Sequence, residues 1–108
     1  MEVFRYVTPS GENVVGAWLK EHPDARARAK VLARIARLAA GNFGDCKPLQ
    51  EGVFELRIDY GPGYRLYYAM IGRTCVLLHC VGDKRKQSAD IQRAIGYLKD
   101  YKKRAAMP

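Results

Sequence analysis

The stretch Gly52-Val53-Phe54-Glu55-Leu56-Arg57-Ile58-Asp59-Tyr60-Gly61-Pro62-Gly63-Tyr64-Arg65-Leu66-Tyr67-Tyr68 decides the fold. Phe54, Leu56, Ile58 and Tyr60 alternate with Glu55, Arg57 and Asp59, the period of a strand with one buried face. Gly61-Pro62-Gly63 is turn chemistry, because proline fixes φ and lacks an N–H while glycine takes positive φ freely. A second strand starts at Tyr64. A hairpin centred on Pro62 places Arg57, Asp59, Arg65 and Tyr67 on one sheet face. Two guanidiniums beside a tyrosine suit a phosphodiester. The same charges can instead form a cross-strand ion network with Glu55 and Asp59.

Downstream, residues 74–81 are almost continuously apolar, as in a strand buried on both faces. They lead into Gly82-Asp83-Lys84-Arg85-Lys86-Gln87-Ser88, so three cations gather where a strand ends and a helix begins. Ser88 is an expected N-cap, and Asp90 suits the first turn of a helix. That helix covers about 88–103, with Ile91, Ala94, Ile95 and Leu98 on its apolar stripe, and residues 98–108 read as a frayed tail.

Upstream, residues 3–7 read as a strand ended by Thr8-Pro9-Ser10-Gly11. Ser10 or Asn13 caps a helix running to about His22, with Val14, Val15, Trp18 and Leu19 on one stripe. Pro23-Asp24 restarts the chain, and Asp24 caps a helix over about 25–40 whose apolar face is Val31, Leu32, Ile35, Leu38 and Ala39. Arg26, Lys30, Arg34 and Arg37 form its opposite, solvated face. Residues 43–52 read as a loop. The order β-αα-βββ-α predicts an α+β fold, a helical hairpin packed on a small antiparallel-type sheet.

At 108 residues and 12.2 kDa the chain suits one domain, with 48% hydrophobic residues to fill its core. The formal net charge is +8; residues 1–51 contribute +2 and residues 52–108 contribute +6. A basic excess concentrated beside the sheet fits a nucleic-acid partner. Neither a signal peptide nor a membrane-spanning run is apparent, so the expected location is the cytoplasm without membrane association. Cys46, Cys75 and Cys80 lack metal-ligand spacing and read as free, buried thiols. Strict strand alternation sends Cys75 and Cys80 to opposite faces. With only His22 and His79 beside them, no metal or cofactor is expected. His79 reads as a core histidine with its ring nitrogens satisfied by hydrogen bonds.

The hairpin with its Gly-Pro-Gly-Tyr-Arg turn, the run Gly82-Asp83-Lys84-Arg85-Lys86-Gln87 and the following Ala89-Asp90-Ile91-Gln92-Arg93-Ala94 together resemble the RelE/ParE toxin superfamily. Within it they are most similar to the HigB-like branch, the "addiction module killer proteins"; Gly41-Asn42-Phe43-Gly44-Asp45 before Lys47-Pro48-Leu49 fits that branch too. The resemblance spans roughly residues 4–94. It implies a toxin of a type II toxin–antitoxin system, an endoribonuclease acting on ribosome-bound mRNA, held in check by an antitoxin of the helix-turn-helix type. It assigns Arg57, Arg65 and either Lys84 or Lys86 to catalysis; Lys84, which follows the buried strand more closely and should be held more rigidly, is the expected one. Tyr64, Tyr67, Arg85 and Lys86 become RNA-binding candidates, although the tyrosines also suit hairpin packing. Glu55 departs from the pattern, since RelE has a basic residue there, and a tyrosine that some relatives carry after the basic run is absent. Two other expectations stay open: a ParE-like inhibitor of DNA gyrase, and an inactive relative serving as a binding module.

Overall fold

The computed structural model describes residues 1–82 and 87–107. Its elements are β1 (Glu2–Arg5), α1 (Val14–Glu21), α2 (Ala25–Ala39), β2 (Cys46–Pro48), β3 (Phe54–Ile58), β4 (Tyr64–Ile71), β5 (Thr74–Val81) and α3 (Gln87–Ala105). The sheet order is β1-β5-β4-β3-β2. This is the expected α+β arrangement with two differences. Part of the expected loop 43–52 forms the edge strand β2, antiparallel to β3. β1 runs parallel to β5, which makes the sheet mixed. Neither feature carries a local signal: β2 has three residues and ends in proline, and the direction of β1 is set by the chain returning through two helices.

The helix starts follow capping chemistry. Asn13, not Ser10, accepts from the Gly16 amide at 2.9 Å, and Asp24 accepts from the amides of Arg26 and Ala27. Ser88 lies inside the first turn of α3, so it does not cap that helix. The far end of α3 is continuous helix to Ala105 rather than a loose tail. The Tyr6 hydroxyl donates to Asp100 at 2.6 Å, and Arg104 binds Asp100 and the Val7 carbonyl, which ties the last turns to the segment just after β1.

Two apolar layers enclose the sheet. On one face Val15, Ala27, Val31 and Leu38 from α1 and α2 pack on Leu56, Ile58, Leu66, Tyr68 and Leu77. On the other, Ala94, Ile95 and Leu98 of α3 pack on Val53, Tyr67, Ala69, Val76 and Leu78. The β4–β5 register shifts by one residue between Tyr67 and Tyr68, so Leu78 is an extra residue on β5. This bulge breaks the alternation. Cys75 and Cys80, expected on opposite faces, both join the α1–α2 layer, and all three cysteines are free thiols, Cys46 only half-buried.

Candidate functional site

The hairpin register is centred on Gly61 rather than Pro62, because Ile58 pairs with Tyr64 and Arg57 with Arg65. The change moves the partners by two positions, which preserves the faces, but it sets the two arginines directly opposite each other. With Glu55 paired to Tyr67, Tyr67 to His79 and Arg65 to Val81, two rows cross the sheet. One row is Glu55, Tyr67 and His79; the other is Arg57, Arg65 and Val81. The bulge at Leu78 is what brings His79 into line.

Glu55 is fully buried at the junction of the rows. One carboxylate oxygen accepts from Arg57 Nε at 2.9 Å. The other lies 3.6 Å from Arg65 Nε and accepts from Gln87 Nε2 at 3.2 Å. The ion network considered as an alternative for these arginines is therefore present through Glu55. Arg57 remains half exposed, its side chain 49% accessible, whereas that of Arg65 is 10% accessible. Nε and Nη1 of Arg65 are buried without a hydrogen-bond partner among the described residues. An opening of about 400 Å³ at the hairpin end is lined by Asp45, Arg57, Ile58, Asp59, Gly63, Tyr64 and Arg65. Two guanidiniums there meet the carboxylates of Asp45, Asp59 and the adjacent Glu55, so the described part of the cleft is not a cationic well.

The tyrosines differ from expectation. Tyr67 is fully buried beneath α3, so it has no face for an RNA base; burial pushes its hydroxyl up to about 12. Tyr64 borders the cleft but is only 5% exposed. Its ring is fixed by edge contacts with Trp18 and His22, at centroid distances of 5.7 and 5.4 Å, so it is a wall and not a stacking platform. Lys84, Arg85 and Lys86 lie outside the described residues. The described residues that flank the segment 83–86 do touch the site: Gly82 abuts the Tyr64 ring, and Gln87 binds Glu55.

His79 is buried below the first turns of α3, with Nε2 3.5 Å from Asp90 Oδ1. Desolvation holds its pKa below the usual 6.5, against the pull of Asp90. It is a core histidine, as expected, but neither ring nitrogen has a hydrogen bond among the described residues. Arg34, assigned to the solvated back of α2, instead reaches across to the sheet. Its Nη1 donates to the Arg57 carbonyl at 2.7 Å and its Nη2 to that of Phe43. It anchors β3 where Arg57 projects. Helical spacing alone gives no signal for this, because the acceptors are backbone carbonyls from a distant strand and loop.

The family model for phage-derived Gp49-like proteins (DUF891) matches residues 17–99, from within α1 through most of α3 and across every cleft residue. The chain belongs to that family, which is related to the RelE-type addiction-module killer proteins. An uncharacterised protein of Haemophilus influenzae is 50% identical over 78 residues, which is 72% of this chain and 79% of that protein. Among the described residues, no helix is long and apolar enough to cross a membrane.

Proposed function

We propose that this protein is the toxin of a type II toxin–antitoxin pair, of the HigB-like branch, and that it cuts ribosome-bound mRNA. The observation that carries this reading is the Arg57–Arg65 pair opening onto a cleft at the end of the hairpin. In the reaction a ribose 2′-OH attacks the adjacent phosphorus. The new 2′-O–P bond forms as the P–O5′ bond breaks, leaving a cyclic phosphate and a 5′-hydroxyl. The two guanidiniums offer hydrogen bonds to the non-bridging oxygens as charge accumulates there. Lys84, with Arg85 and Lys86 beside it in sequence, supplies proton transfer and the further positive field that the described residues lack. The partner is a separate helix-turn-helix antitoxin.

The carboxylates of Glu55, Asp45 and Asp59 favour a second reading, a relative of the same fold that binds without cutting, as a gyrase inhibitor would. Brief induction followed by primer extension on total RNA separates the two. Discrete cuts inside translated frames, abolished by co-expressing the neighbouring antitoxin gene, support the first; intact RNA with growth arrest and DNA damage supports the second.

A further inference from the structure

We propose that Glu55 is a positioning residue: its carboxylate fixes Arg57 and Arg65 as one pair at the cleft and ties that pair to the first residue of α3. The inference rests on the ribonuclease reading and converts the departure at Glu55 into a working part of the site.

Directly opposed side chains in an antiparallel pair have Cβ atoms only about 5 Å apart, so unscreened guanidiniums there repel and splay. Glu55 is two residues before Arg57 on the same strand and face, and it is fully buried. Its Oε1 accepts from Arg57 at Nε, not at a terminal nitrogen. A guanidinium held by its Nε keeps its Nη1–Nη2 end for a second, bidentate acceptor. Arg57 is half exposed and lines the cleft. Oε2 faces Arg65 and accepts from Gln87. The same carboxylate thus reaches β3, β4 and the start of α3, immediately after the basic run.

The arrangement has opposing effects. Glu55 subtracts one charge from the site, which weakens attraction for RNA. It also immobilises the groups that must meet the developing charge, and fixed groups contribute most to the chemical step. The two effects separate in kinetics.

The experiment is single-turnover cleavage of ribosome-bound message by wild type, Glu55→Gln, Arg57→Lys and Gln87→Ala, together with NMR of the Arg57 Nε–Hε group in the free protein. Glu55→Gln is expected to bind message as tightly or more tightly while cutting roughly 10–100-fold more slowly, with faster Hε exchange. Arg57→Lys keeps the charge but has no Nε to be held; a comparable fall in rate is expected, and it decides the matter if Glu55→Gln does not fold. Gln87→Ala loses only the helix tie and should slow cleavage a few-fold. Wild-type rates in folded Glu55→Gln or in Arg57→Lys overturn the proposal. If the wild-type protein cuts no message, the ribonuclease reading fails. The Arg57 signal then judges positioning alone: protection lost in Glu55→Gln sustains it, and no protection in wild type overturns it.

Discussion

Arg57 and Arg65 face each other directly across β3 and β4, with Glu55 2.9 Å from the Nε of one and 3.6 Å from that of the other. The two arginines nevertheless occupy different environments. Arg57 is half exposed, whereas Arg65 is buried beside a buried carboxylate. Function and stability should therefore divide between them.

Arg65→Ala removes one of the cations facing the buried Glu55, and breaking a buried ion pair costs about 3 kcal/mol. The variant should unfold at clearly lower urea concentration as well as lose cleavage. Arg57→Ala should unfold nearer to wild type while cutting on the order of 100-fold more slowly, as expected when a preorganised donor to the transition state is removed. Urea titration beside a cleavage assay checks both. Equal stability of the two variants would show that the Arg57 hydrogen bond to the buried Glu55 weighs as much as the burial of Arg65.

The hairpin, the long interior strand β5 and both N-terminal helices are legible because each has its own local signal: alternation in 54–60, an apolar run in 74–81, the stripe Val14, Val15, Trp18 and Leu19, and the Asp24 cap before a second 3.6-residue stripe. The parity of Arg57 and Arg65 is equally legible, since any even register shift preserves it. Their exact pairing is not, because it depends on whether the five-residue loop 59–63 folds about Gly61 or Pro62. The bulge is invisible for a related reason. An apolar run on a strand covered on both faces has no polar residues to mark where alternation slips. For that reason the shared face of Cys75 and Cys80, and the alignment of His79 with Glu55 and Tyr67, emerge only from the three-dimensional pairing.

Tyr67→Phe tests the assignment of Tyr67 to the core. The hydroxyl is buried with no hydrogen-bond partner among the described residues, while the ring stacks near His79 at 6.2 Å. Deleting an unsatisfied buried hydroxyl should leave stability within about 0.5 kcal/mol of wild type or raise it. RNA affinity should not change. A large loss of affinity measured by filter binding would restore Tyr67 to the interface.

His79 makes stability depend on pH. Burial holds its folded pKa below the 6.5 of an exposed imidazole, with Asp90 opposing that shift and Arg93 reinforcing it. As pH falls below about 6.5 the unfolded chain takes up a proton that the folded protein resists, so the unfolded state gains. Stability from this group is thus present above that pH and lost as pH drops towards the folded value. Urea midpoints of wild type should fall between pH 7.5 and 5.5 more steeply than those of His79→Gln. A steeper loss in the variant would reverse the assigned shift.

Gly82→Ala probes the seam between β5 and the cleft. A Cβ at Gly82 falls 2.6 and 2.8 Å from two ring carbons of Tyr64, well inside contact distance. The ring has little room to retreat, since Trp18 and His22 hold it from one side and Tyr60 lies parallel at 6.4 Å. Overpacking of this kind costs about 1–3 kcal/mol. Tyr64→Leu should also destabilise by removing a buried aromatic, but a smaller side chain there frees the space that the new methyl needs. The double variant should therefore be more stable than the sum of the single losses predicts, by at least about 0.5 kcal/mol. Strict additivity in thermal or urea unfolding would mean that the strain of Gly82→Ala is relieved by movement of the strand end, leaving the Tyr64 wall of the cleft in place.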